Sequence, residues 1–119
     1  MSNTQGLSGK VALITGAARH RGIGRAIALR LAEDGADIVI CGRPRLPESY
    51  PAHEQEIGWR GVDSLAQEIE AMGRQALALE CDVTHKDQVV AMIETIKSRF
   101  GRLDIIVNNA GVPSDAGAS

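Results

Sequence analysis

Thr15-Gly16-Ala17-Ala18-Arg19-His20-Arg21-Gly22-Ile23-Gly24 is a glycine-rich turn between two unlike segments. Before it runs Val11-Ala12-Leu13-Ile14, a short apolar stretch of the kind found in a buried strand. After it runs Arg25-Ala26-Ile27-Ala28-Leu29-Arg30-Leu31-Ala32, which has helical character. A strand therefore feeds a glycine turn, and the turn opens a helix. Several backbone N–H groups then point at one place, along with a helix dipole worth roughly half a charge. Such a place suits an anion, and the pyrophosphate of a dinucleotide is the best candidate.

The flanking sequence extends this pattern. The first strand is expected over Lys10 to Ile14 and the first helix over Ile23 to Asp34. On that helix Ile23, Ile27 and Leu31, with Ala26 beside them, form the expected buried stripe, and Arg25, Arg30 and Glu33 face out. Gly35 closes it as a left-handed cap, and a second strand follows over Asp37 to Cys41. Gly42 to Gly61 holds Pro44, Pro47 and Pro51 with no helical period, which predicts a long surface loop inserted in the domain. Trp59 is expected to anchor that loop on the body.

A second helix is predicted over Val62 to Met72, with Val62, Leu65, Ile69 and Met72 at helical spacing. A third strand covers Gln75 to Glu80. Thr84 and Asp87 read as the cap of a third helix, whose stripe is Val89, Ile93, Ile96 and Phe100. A fourth strand covers Leu103 to Val107. Alternating apolar strands and amphipathic helices predict a parallel α/β sheet covered on both faces. With right-handed crossovers this is a doubly wound, Rossmann-like β-α-β-α-β-α-β unit of strand order 3-2-1-4.

Composition narrows the classes of function. The 119 residues are 44% hydrophobic and carry a net charge of −2, a one-domain length without a basic footprint. Nucleic acid and anionic membranes are thus not expected partners. No apolar run approaches a membrane span. Cys41 and Cys81 form no CxxC pair and are expected to be reduced and buried, consistent with a cytoplasmic location. His20, His53 and His85 lack ligand-like spacing, so no metal site is expected.

The chain resembles the N-terminal, cofactor-binding half of a short-chain dehydrogenase/reductase of the classical type. Three motifs carry the resemblance: Thr15-Gly16 through Gly22-Ile23-Gly24, then Cys81-Asp82-Val83-Thr84, then Leu103-Asp104-Ile105-Ile106-Val107-Asn108-Asn109-Ala110-Gly111. The likeness covers about residues 7–113. It implies that Gly16, Gly22 and Gly24, with Ile23, let the backbone approach the pyrophosphate. It implies that Asp82 accepts from the adenine amino group, with the Val83 N–H beside it. Asn109 would lie along the adjacent ribose, and Asn108 would tie the fourth strand to its neighbours. The implied reaction is hydride transfer between a nicotinamide and a carbonyl or alcohol carbon of a small molecule, and a homo-oligomer is left open.

Two departures bear on the cofactor. Five residues, Ala17 to Arg21, separate the first two glycines where the family usually has three. At the end of the second strand, where NAD-binding relatives place an acid for the ribose 2′-OH, stands Gly42. Arg43 follows it, and Arg21 precedes Gly22. Both arginines resemble the basic positions that hold a 2′-phosphate. NADP(H) is therefore expected ahead of NAD.

The resemblance also implies a catalytic tyrosine with a lysine four residues later. The one tyrosine, Tyr50, is followed at that distance by Glu54, so no catalytic residue is assigned in this chain. The expectation is a portion of a longer reductase, inactive alone. The competing reading is a non-catalytic dinucleotide-binding or interaction module.

Overall fold

Two strands carry most of the buried apolar surface. In the computed structural model, which describes residues 6–43 and 50–109, β1 (Val11–Thr15) is buried along its whole length. Its neighbour β2 (Asp37–Gly42) is buried from Ile38 onward. Their sequences, VALIT and DIVICG, lack the polar alternation of a half-exposed strand, as expected for a parallel sheet covered on both faces. β3 (Ala76–Glu80) pairs with β2, and β4 (Ile105–Val107) pairs with β1. All pairings are parallel and the order is β3-β2-β1-β4, as the sequence predicts.

The two sheet faces are distinct. Ala12, Ile14, Ile38, Ile40 and Ala76 point to the side of α1 (Ile23–Glu33) and α3 (Val62–Ala71). Val11, Leu13, Val39 and Cys41 point to α4 (Lys86–Phe100), where Met92 and Ile96 meet them. Fully burying one such aliphatic side chain contributes about 1.5–3 kcal/mol. Leu13, Ile14, Ile38 and Ile40 are all fully buried, so the central pair holds the domain together. Ile106 lies on the Leu13 face of the β4 edge and is 60% exposed, beyond the cover of α4.

The helices correct several expectations. On α1 the buried residues are Gly24, Ala28 and Ala32, not Ile23, Ile27 and Leu31. Small side chains face the sheet because the helix lies close against it. Ile27 and Leu31 are half-buried on its flanks, while Ala26 is exposed. Arg25 does not face freely outward, since it pairs with Glu68 of α3 through Nε and Nη2 at 2.9 and 2.7 Å. On α3 Met72 falls just past the helix and is exposed, with Ala66 buried instead.

The expected Thr84 cap is absent. α4 starts at Lys86 after His85, and the Thr84 hydroxyl donates to Asp82 Oδ1 at 2.6 Å. The loop expected over Gly42 to Gly61 is also corrected. Gly42 ends β2, Ala52–Glu56 form a short helix α2 behind Pro51, and Pro44 and Pro47 lie outside the described residues. Five residues are too few to show an apolar period, and the residue that α2 buries is a glutamate, Glu54.

Cys41 and Cys81 are free and buried. Burial, with Cys81 alongside, pushes the Cys41 thiol up to about 11, so it stays protonated and unreactive at neutral pH. Among the described residues no helix is long and apolar enough to cross a membrane. Nor, among them, are three or more His, Cys, Asp or Glu side chains grouped to hold a metal ion.

Asp104 joins the start of β4 to β1. Its Oδ2 accepts from Val11 N at 2.9 Å, and Arg102 grips both carboxylate oxygens at 2.8 and 2.9 Å. The Arg102 hydrogen bonds, then the Val11 amide, lower its pKa to about 2. A depressed carboxylate stabilises the fold above its unfolded pKa of about 3.9, and that contribution fades as pH falls toward the folded value. Asp104→Asn is therefore expected to melt below the wild type at pH 6, with the gap closing between about pH 4 and 2. Thermal melts across that range check this. A gap that stays constant contradicts the role given to Asp104.

Candidate functional site

The carboxyl ends of all four strands open on one side. The chain runs from β1 outward through β2 to β3, then crosses back to place β4 on the other side of β1. The order reverses at β1, and open α/β sheets bind ligands in the crevice expected at such a point. The segments after β1, β2, β3 and β4 carry, in turn, the glycine-rich turn, Arg43, Asp82 with Val83, and Asn108 with Asn109.

The turn after β1 begins with Gly16 at φ +67°, a left-handed conformation that favours glycine. Ala17 N then donates to Cys41 O at 3.1 Å, tying the turn to β2. Gly22, with extended backbone, caps α1 and supplies no side chain to its N–H groups. The first turn of α1 holds no acidic residue. The positive end of α1 thus carries no side-chain cap and no acidic residue in its own first turn, a donor set suited to a phosphate. Ile23, 70% exposed, and Arg21, also exposed, border it.

Gly24 has a different reason for being glycine than the sequence suggests. A Cβ there would lie 2.9 Å from Gly16 O, 2.9 Å from Asn109 Nδ2 and 3.0 Å from Ala17 Cα. Those are atoms of the protein itself. Gly24 lets α1 seat against the turn and β4, and its effect on a bound phosphate is indirect.

Asn109 closes the same corner. Its Nδ2 donates to Gly16 O at 3.1 Å and its backbone N donates to Thr15 Oγ1 at 3.0 Å. Thr15 Oγ1 lies 3.2 Å from Asn108 Oδ1, so Asn108 does link β4 to β1. Gly16, Gly24 and Asn109 are thus in direct contact. On the other side of β1, Asp82 Oδ1 accepts from Thr84 N at 3.0 Å and from the Thr84 hydroxyl. Asp82 Oδ2 lies 3.3 Å from His85 Nδ1 and 3.9 Å from Arg43 Nε. The Thr84 hydrogen bonds chiefly, and the His85 and Arg43 charges less, hold the Asp82 carboxyl below the usual range. It is an ionised acceptor at neutral pH. Val83 is half-buried against the α4 cluster.

Gly42 also proves to be constrained. A Cβ at this position would lie 2.7 Å from Ala18 Cβ and 3.3 Å from Val62 Cγ1. The lengthened glycine turn folds Ala18 across the end of β2, so no side chain fits there, and hence no carboxylate. Arg43, beside it, is 69% exposed.

From the segment after β2, sequence reasoning missed Glu54 and placed Trp59 only as an anchor on the body. Trp59 Nε1 donates to Ala18 O at 2.7 Å, so the expected anchor is real but grips the glycine turn. Glu54 Oε2 accepts from His20 N at 2.8 Å. Arg25 Nη1 donates to His20 O at 3.3 Å. Two features signalled this in advance: a glycine turn with two extra residues, and an unusually long segment after β2.

This crevice, with its glycine turn at the switch point of a parallel sheet, defines a dinucleotide-type Rossmann domain. The family model described as short chain dehydrogenase matches residues 10–119, and the chain belongs to that family. It is 42% identical over 114 residues to hydroxysteroid dehydrogenase-like protein 2 of Homo sapiens, covering 96% of this chain and 25% of that protein. It is 39% identical over 106 residues to the 3-oxoacyl-[acyl-carrier-protein] reductase FabG of Staphylococcus aureus, covering 89% of this chain and 37% of that one. A solved structure of NAD+-bound xylitol dehydrogenase superposes with a TM-score of 0.70 at 32% identity, over 89% of this chain and 35% of that chain. The chain therefore spans roughly a quarter to two fifths of the length of these relatives.

Proposed function

We propose that residues 1–119 form the dinucleotide-binding part of an NADP(H)-dependent oxidoreductase acting on a carbonyl or alcohol carbon of a small molecule. The observation that carries the cofactor choice is the end of β2. Ala18 fills the space over Gly42, which leaves no room for an acid to hold a ribose 2′-OH, and an exposed arginine follows. The overall fold does not choose, since a similar structure holds NAD+.

The residues present fit the group. The amides at Gly22, Ile23 and Gly24, behind the turn at Gly16, face the pyrophosphate. Arg43, with Arg21, grips the 2′-phosphate. The Arg43–Asp82 approach of 3.9 Å is no obstacle, because an exposed ion pair contributes only about 0–1 kcal/mol and a charge-assisted bond to phosphate exceeds it. Asp82 would accept from the adenine amino group, with the Val83 N–H beside it, and Asn109 would line the adjacent ribose. The nicotinamide, when bound, supplies or accepts the hydride. This chain binds and orients, and none of its residues is assigned a proton-transfer role.

Hydride transfer by the intact protein tests the reading. With NADPH and a panel of aldehydes and ketones, carbonyl-dependent oxidation of NADPH is expected. Tight NADPH binding with no turnover on any of them favours a non-catalytic binding module. No binding of either dinucleotide overturns both.

A further inference from the structure

Among the described residues between β2 and α3, the Glu54 and Trp59 side chains are buried, and they converge on one place. Glu54 is 1% exposed and Trp59 is 7% exposed. A buried carboxylate is costly unless hydrogen-bonded, so its burial needs a partner of matching value. One such partner is the His20 amide in the lengthened part of the glycine turn. Trp59 takes the Ala18 carbonyl, two residues earlier, and its indole stands edge-on to the His20 ring at 4.9 Å. The Arg25 guanidinium lies 5.7 Å over the indole. Ala18 itself is enclosed between Gly42 and Gly61, and Gly61 approaches it at φ +68°, where larger residues are strained.

The five-residue turn thus has its polar groups taken up from outside. Ala18 O, His20 N and His20 O are bound by Trp59, Glu54 and Arg25. A turn with two extra residues has more conformations to lose when a phosphate binds, and holding it in one of them lowers that cost.

Resting on the dinucleotide reading, we propose that Trp59 and Glu54 are positioning residues, a clasp that holds the lengthened glycine turn in its phosphate-binding conformation. They do not touch the cofactor. They set its affinity through the turn. The segment after β2 is then the compensating half of the two-residue extension in the turn.

The test uses the intact protein and two independent readouts. The first is amide exchange across residues 17–22 without ligand. The second is NADPH affinity by calorimetry. Trp59→Phe removes the N–H donor and keeps a ring. Glu54→Leu removes the acceptor, and Glu54→Gln restores a carbonyl oxygen in the same place. Exchange at His20 is expected to quicken in Glu54→Leu, and the NADPH Kd to rise about tenfold in both Trp59→Phe and Glu54→Leu. Glu54→Gln is expected to return the Kd to within about threefold of wild type. In turnover the change falls on KM for NADPH, with kcat unchanged.

Unchanged exchange, or unchanged Kd in a folded Trp59→Phe, overturns the clasp. Trp59→Phe decides alone if Glu54→Leu does not fold. If the wild type binds no NADPH, the cofactor reading fails, and the clasp as a device for cofactor affinity fails with it. The exchange data then report only whether the segment rigidifies the turn.

Discussion

Gly24→Val is expected to cost about 3 kcal/mol of stability and to abolish dinucleotide binding. The cause is overpacking inside the protein. The first carbon added already meets Gly16 O and Asn109 Nδ2 at 2.9 Å and Ala17 Cα at 3.0 Å. Two of those three contacts are backbone, which cannot rotate away as a side chain can. The helix must lift from β1 and β4, which breaks the Asn109–Gly16 hydrogen bond and displaces the N–H groups proposed to face the phosphate. Gly22→Ala is a useful contrast. Its Cβ would lie 3.2 Å from Arg19 Cβ and 3.4 Å from Arg19 O, a tight fit but without the approaches of 2.9 Å met at Gly24, and its backbone is extended. Thermal melts of the two variants should therefore differ widely. A valine variant that melts with the wild type contradicts the packing role of Gly24. One that is destabilised but still binds dinucleotide separates packing from binding.

Arg43→Asp is expected to weaken NADPH binding about thirtyfold and to leave NADH binding nearly unchanged. A hydrogen-bonded charge contact is worth about 1.5–3 kcal/mol, and reversing the charge adds repulsion. The new carboxylate would also sit near Asp82, whose Oδ2 lies 3.9 Å from Arg43 Nε in the wild type. The loss of Arg43 removes one of the influences that lower the Asp82 pKa, though the Thr84 hydrogen bonds, which dominate, remain. The proposed adenine acceptor thus survives the change, and the effect should be confined to the 2′-phosphate. Paired titrations of the variant with NADPH and NADH check this. An unchanged ratio of the two affinities contradicts the role of Arg43.

The sheet was legible because VALI and IVIC are apolar without alternation, which in a chain of this period means central parallel strands. Strand order followed from the glycine turn and crossover handedness. Which α1 residues face the sheet was not legible. A hydrophobic stripe favours Ile23, Ile27 and Leu31, yet close helix–sheet approach selects Gly24, Ala28 and Ala32. Size overrode hydrophobicity there. Thr84 likewise carries a cap signature, but Asp82 two residues earlier competes for its hydroxyl. In the crevice, Gly16, Asp82 and Asn109 could be named from motifs. Glu54, and the turn as the target of the Trp59 anchor, could not, because the partners are backbone groups of His20 and Ala18, more than thirty residues away in sequence. Gly42 could be read only as a missing acid. Its cause, the Ala18 methyl packed over it, needed three dimensions.

The crevice at the ends of β1 to β4 and its choice of cofactor are most directly tested by calorimetric titration of the intact wild-type protein with NADPH and with NADH, side by side. NADPH is expected to bind at least about tenfold tighter, the equivalent of ~1.4 kcal/mol from contacts to the 2′-phosphate. Equal affinities, or tighter binding of NADH, would contradict it.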